Sequence, residues 1–476
     1  MKISLPIIAA YILFCVVTLN AQGVANNVDT TTAPKKNTFT SIGDYFSKGN
    51  FYAHSRSYFM STINNGRLKD DYALTAGAGI GYKSPEFHGV GFALSGFFIF
   101  DLVSSELDKN DPYTNQPNRY ELGLLDVTQP QNKKDLDRLE EAYLYYENKW
   151  VDIEVGRMNL NTPFINPQDG RMRPSLEEGA WAKIKPHKKI VLEGGWLWAF
   201  SPRSTVLWYP KLNSIGTYPV GVNTAGKKSG YANNLDSKGV GVMAIKFFPK
   251  NMEIELWNYV AHNVFNTAFL QYQYTIPFAE KRKIKIGTQF TRQDRINNGG
   301  NNDLQKAYYE GKSAMVVGAR VEYADKQHTI NFNFSHFTKE GRFLFPREWG
   351  RDPFYTFIPR ERNEGFGNVN AFTVNYNYRF KTKGLSALLS AGVYQMPQVT
   401  NFALNKYGLG DYAHINTGIK YFFQNKFKGL DVQLLLMGKL NMDDKNLPEK
   451  NLYNRVNLFH TNVIVNYYFN SKEFKK

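Results

Sequence analysis

Cysteine is nearly absent from this chain: its 476 residues include one, Cys15. That residue falls in an N-terminal stretch, residues 1–21, which reads as a secretory signal peptide. Lys2 supplies a basic start, residues 6–18 are almost continuously apolar, and Ala21 is a small residue at a cleavage point before Gln22. A lipoprotein signal would need a small residue before Cys15, and Phe14 stands there. The mature chain is therefore expected to have no disulfide, no thiol nucleophile and no cysteine-based metal site. No other stretch approaches the ~20 apolar residues of a membrane helix. Acidic charge is also scarce, with 42 Asp and Glu against 58 Lys and Arg, and loss of Lys2 takes the formal charge from +16 to +15. Catalytic signatures are missing too: there is no G-x-S-x-G elbow, no H-E-x-x-H, no P-loop and no Rossmann fingerprint. The eight histidines are scattered without ligand spacing. The expectation is a protein with no catalytic residues, no metal and no cofactor. Asp108, Asn110 and Asp111 form only an incomplete calcium loop, so a solvated outer loop is the plainer reading. No basic cluster sits in a nucleic-acid motif, which leaves no nucleic-acid partner.

Aromatic residues are abundant, at 15% of the chain with 30 Tyr and 35 Phe. Beyond a lead-in at residues 22–48, read as flexible, the sequence alternates apolar and polar positions almost without a break. Val463, Val465, Tyr467 and Phe469 face one way; Asn462, Asn466 and Tyr468 face the other. The same parity separates Val151, Ile153 and Val155 from Asp152 and Glu154, and Phe372, Val374, Tyr376 and Tyr378 from Thr373, Asn375, Asn377 and Arg379. Burying such charges in a dry core is costly, whereas a water-filled lumen removes the cost. Eighteen segments of this kind can be placed between residues 51 and 469, and the connections between them alternate short and long. That pattern predicts an all-β fold over residues 49–470: a transmembrane antiparallel barrel of about 18 strands, with short periplasmic turns and long outer loops. The connection at 261–264 is short where a long one is expected, which leaves the register there open.

The segment at 151–185 carries Gly156-Arg157, then Asp169-Gly170-Arg171-Met172-Arg173-Pro174, then Glu178-Gly179. It resembles OprD-type outer-membrane porins, and residues 345–365 are similar to a loop of that family. The resemblance implies a monomeric channel in the outer membrane whose third outer loop folds inward to constrict it. It further implies passive passage of small, often carboxylate-bearing solutes along lumenal basic side chains. By strand count the loop near 159–176 is the third. Arg157, Arg171 and Arg173 are then the expected constriction residues, since a guanidinium stays charged and offers a planar fork to a carboxylate. The competing reading pairs these arginines with Asp169, Glu177 and Glu178 to stiffen the loop.

A secondary basic set comprises Lys183, Lys285, Arg320 and Arg379 on polar rows of the wall, and Arg347, Arg351, Arg360 and Arg362 in the loop near 339–368. The expected partners are outer-membrane lipid and small-molecule solutes. Alternatives are a general diffusion porin, with a trimer in place of the monomer, or a barrel enzyme or adhesin.

Overall fold

The computed structural model describes residues 39–168, 170–443 and 447–470. The signal segment therefore lies outside the described residues, as does most of 22–48. Residues 42–47 of that lead-in form a short helix, α1 (Ile42–Ser47), capped by the Ser41 hydroxyl accepting from the Asp44 N–H.

The first seven strands are β1 (Asn50–Asn64), β2 (Asp71–Lys83), β3 (Val90–Ser104), β4 (Leu136–Glu147), β5 (Val151–Met158), β6 (Leu176–His187) and β7 (Ile190–Ser201). A two-residue strand, β8 (Tyr209–Pro210), pairs with the end of β7 inside a loop. The series continues with β9 (Val240–Phe247), β10 (Met252–Ala261), β11 (Phe265–Ala279), β12 (Arg282–Arg295), β13 (Ser313–Ala324) and β14 (His328–Phe337). It ends with β15 (Val369–Arg379), β16 (Leu385–Gln395), β17 (Tyr412–Phe422), β18 (Leu430–Asn441) and β19 (Leu458–Asn470). Apart from β8, each strand pairs antiparallel with its neighbours along the chain, and β1 pairs with both β2 and β19. The result is a closed 18-stranded barrel. Closure leaves no wall strand with an unpaired edge, the condition for crossing hydrocarbon with strands.

The parity read from sequence holds on the wall. Leu144, Met243 and Phe332 are 63%, 70% and 56% exposed on the outward rows, while Asn331, Asn333, His460 and Asn462 are buried on the inward rows. The outward apolar row meets lipid and the polar row lines the interior. The connection at 262–264 is a short member of the outer set, so the strand register continues through it unchanged.

Four outer loops fill the upper barrel: L2 (105–135), L3 (159–175), L4 (202–239) and L7 (338–368). Phe164 of L3 stacks on Phe345 of L7 at 4.7 Å and meets the edges of Tyr259 and Phe269 on the wall, both at 5.5 Å. Tyr259 also donates to the Thr162 hydroxyl at 3.1 Å. L2 buries Leu122, Leu124 and Leu125 against Tyr58, Met60 and Phe97 of the wall, with Met172 of L3 in the same cluster. Aromatic and aliphatic packing of this kind, not strand pairing, holds the loops inside the barrel.

Candidate functional site

The inward loops leave a cavity of about 560 Å³, walled on one side by Tyr58, Gln433, Leu435 and Ile464 and on the others by L2, L3, L4 and L7, with Tyr407, Leu409 and Arg455 added from the β16–β17 and β18–β19 loops. Ten basic residues line it: Arg119, Arg171, Arg203, Lys228, Arg347, Arg351, Arg360, Arg362, Lys439 and Arg455. Two acids do, Glu361 and Glu364, and both are already engaged. Glu361 holds Lys439 at 2.9 Å and His414 at 2.8 Å. Burial opposes its ionisation, but those two partners outweigh burial and keep its carboxyl below the usual range. Glu364 holds Lys406 at 3.3 Å and Arg347 at 3.6 Å. Among the described residues, Arg171, Arg203, Arg360, Arg362 and Arg455 have no carboxylate at ion-pair distance.

The L3 tip enters this basic cluster through its backbone. Arg360 donates to the Gly170 carbonyl at 2.8 Å, Arg203 to the Gln168 carbonyl at 3.2 Å, and Arg56 of β1 to the Arg171 carbonyl at 2.6 Å. Arg171 satisfies one terminal nitrogen on the Gly170 carbonyl at 2.8 Å, while its Nε has no partner among the described residues. Burial, and then repulsion from Arg203 and Arg360, lower its pKa well below the usual guanidinium value. Burial likewise brings Arg203 down to about 10. A carboxylate entering here would meet several donors that have no counter-charge among the described residues.

Of the three arginines expected at the constriction, Arg171 alone lines the cavity. Arg157 is a correction. It continues the row of Ile153 and Val155, which are exposed on the outer wall, so it faces out of the barrel. There it lies 4.7 Å over the Trp208 ring and pairs with Glu178 at 3.0 Å. Arg173 is a second correction: it is fully buried behind the loop, away from the cavity lining, and donates to the Leu136 carbonyl at 3.3 Å. Burial and the neighbouring Arg138 pull its pKa down to about 9. Neither Glu177 nor Glu178 pairs with Arg171 or Arg173, and Asp169 lies outside the described residues.

The secondary set divides as well. Arg347, Arg351, Arg360 and Arg362 all line the cavity, so L7 supplies more of its charge than L3 does. On the wall, Lys183 lies opposite Asp152 and Glu193, and Lys285 lies opposite Glu322. Arg320 donates to Asn333 at 2.6 Å and covers the Tyr355 ring at 4.3 Å. Arg379 continues the inward row of Asn375 and Asn377 at the far end of β15. These four sit on lumenal rows below the cavity and do not border it. In L2, both Asp111 carboxylate oxygens accept from the chain itself, from Lys69, Tyr113 and Thr114; it acts as a turn anchor.

A family profile described as outer membrane porin, OprD family, matches residues 148–468. The chain belongs to the OprD family of outer-membrane porins. Among solved structures, Pseudomonas aeruginosa OccK9 (OpdG) has the same fold at a TM-score of 0.70 and 12% identity, over 90% of this chain and 99% of that one. Pseudomonas aeruginosa OpdK with vanillate gives 0.69 and 14%, over 90% and 100%. Acinetobacter baumannii OccAB4 gives 0.68 and 16%, over 89% and 98%. No curated protein sequence matches. The family is one of outer-membrane channels.

Five cavity cations were not singled out in the sequence: Arg119, Arg203, Lys228, Lys439 and Arg455. A signal existed for Lys439 alone, which lies on the inward row of β18 with Gln433, Leu435 and Met437. The others belong to irregular loops, where no period marks the side that faces the lumen.

Proposed function

We propose that the porin conducts small anionic solutes, carboxylates foremost, by passive and substrate-preferring diffusion. The observation that carries this reading is the cavity's charge: ten cations against two acids, both acids already paired. Several guanidinium groups in series attract an anion without one tight clamp, so the solute is drawn in and still leaves. The related OpdK was solved with vanillate, a compact aromatic carboxylate, which agrees in chemistry with such a lumen. Arg171, Arg203, Arg347, Arg360 and Arg362 are the residues assigned to contact the solute, with a monomer as the working unit. The test is the reversal potential of single channels under a salt gradient. Anion selectivity that fades as salt rises is expected, because mobile ions screen the lumen over ~10 Å at 0.1 M. Clear cation selectivity would overturn the proposal.

A further inference from the structure

α1 lies on the outside of the barrel. Tyr82 of β2 donates to the Phe46 carbonyl at 2.8 Å, and Tyr45 donates to the Pro85 carbonyl in the β2–β3 turn at 3.1 Å. Tyr82 belongs to an outward row, since its register partners Phe51 and Leu94 are both exposed large apolar residues. Phe46 continues this surface, with ring centroids 6.1 Å from Tyr82 and 6.4 Å from Phe92. Phe39 packs at 4.9 Å on Tyr45 and 6.0 Å on Phe87, and Lys48 lies 5.2 Å over the Phe39 ring. The turn that carries Phe87 is one of the short, periplasmic set.

The helix is too short to be stable by itself, and its contacts with the wall leave much of its apolar surface uncovered. Ile42 is 78% exposed and Phe46 49%, and Phe87 and Val90 beside them are exposed as well. The polar residues Ser41, Asp44 and Lys48 are instead engaged with one another and with the helix end. Phe51, Val90 and Leu94 on the outward rows of β1 and β3 extend the apolar surface into the lipid-facing band. An amphipathic segment with aromatics at the edge of a bilayer belongs to the membrane interface.

We infer that α1 is an interfacial anchor, seated on the outer wall with Ile42 and Phe46 immersed in the lipid of the periplasmic leaflet. The segment before the barrel would then be strapped to the membrane rim and held clear of the lumen's periplasmic exit. This inference is independent of the solute reading, since it concerns the opposite face of the wall.

The test places one nitroxide label at a time on a C15A background, at I42C, F46C or T40C, in vesicles of phosphatidylethanolamine and phosphatidylglycerol. Ile42 is largely exposed, so I42C leaves the packing intact even if F46C loosens the helix. Collision with dissolved oxygen should dominate over collision with a water-soluble nickel chelate at positions 42 and 46, with the ratio reversed at position 40. Nickel-dominated collision at position 42 would overturn the anchor, placing the helix in water. Low collision with both reagents would also overturn it, because another protein surface would then cover the patch.

Discussion

Arg360 of L7 donates to the Gly170 carbonyl of L3 at 2.8 Å, so the two loops that narrow the lumen are tied to each other and not only to the wall. The same guanidinium reaches Asn462 of β19 at 2.6 Å and the Tyr58 hydroxyl of β1. One side chain thus spans two loops and the seam where the barrel closes. Hydrogen bonds to a charged donor contribute about 1.5–3 kcal/mol each. Arg360→Ala should therefore free the L3 tip, giving larger and noisier single-channel currents together with weaker anion preference. Quiet currents of unchanged size would show that Arg203 and Arg56 suffice to hold the tip.

Arg171 and Arg173 stand two residues apart and should behave in opposite ways. Arg171→Met removes a cavity cation flanked by Arg203 and Arg360, so anion preference should fall and conductance rise modestly. Arg173→Met removes a guanidinium buried behind the loop with Nε and one terminal nitrogen unpartnered among the described residues. Arg173 has no carboxylate at ion-pair distance among the described residues, so its loss strands no buried counter-charge and relieves the cost of holding a charge away from water. Its selectivity should match the parent, with thermal stability held or raised. Equal losses of selectivity in both variants would show that Arg173 reaches the solute.

The wall was legible residue by residue because a strand's parity is binary and its outer face meets a single solvent. Each of the wall strands begins and ends within a few residues of the segment read from alternation. The parity also held the answer for Arg157: a row of Val151, Ile153 and Val155 directed at lipid sends residue 157 outward with them. Motif position drew it toward the lumen, and the strand geometry prevailed. Arg173 could not be placed from sequence, since its burial depends on L2 and Arg138 arriving from elsewhere in the chain. The weight of L7 in the cavity has the same origin, because Phe345 and Phe354 of L7 reach Phe164 of L3 across more than 180 residues. Helix α1 escaped notice because six residues carry too little periodicity to stand out.

Topology can be checked at the L4 hairpin that carries Lys227 and Lys228, where Val222 bridges to Lys228 and both lysines are exposed. An epitope inserted after Lys227 should be reached by antibody on intact cells, since L4 belongs to the long outer set. The turn at 325–327 should become accessible only after the outer membrane is breached. Labelling in the reverse order would invert every strand's direction through the membrane.

Glu121 ties the docking of L2 to pH. It is fully buried, accepting from Asn118 at 2.7 Å and from the Thr62 hydroxyl, which also contacts the ring of His460. Burial pushes its pKa up to about 7, from 4.5 for the free side chain. The docked loop therefore binds a proton that the undocked loop releases, and the docked state is favoured most below pH 4.5. That advantage is lost as pH rises from 4.5 toward 7. Limited proteolysis within residues 105–135 should accordingly be slow at pH 5 and faster at pH 8. His460 and Asp71 lie close by, so the contribution of Glu121 must be isolated by substitution. Glu121→Gln stays neutral at every pH while keeping its capacity to accept from Thr62 and Asn118. In that variant cleavage should be slow at both pH values. If cleavage of the variant still accelerates between pH 5 and pH 8, another group controls the loop.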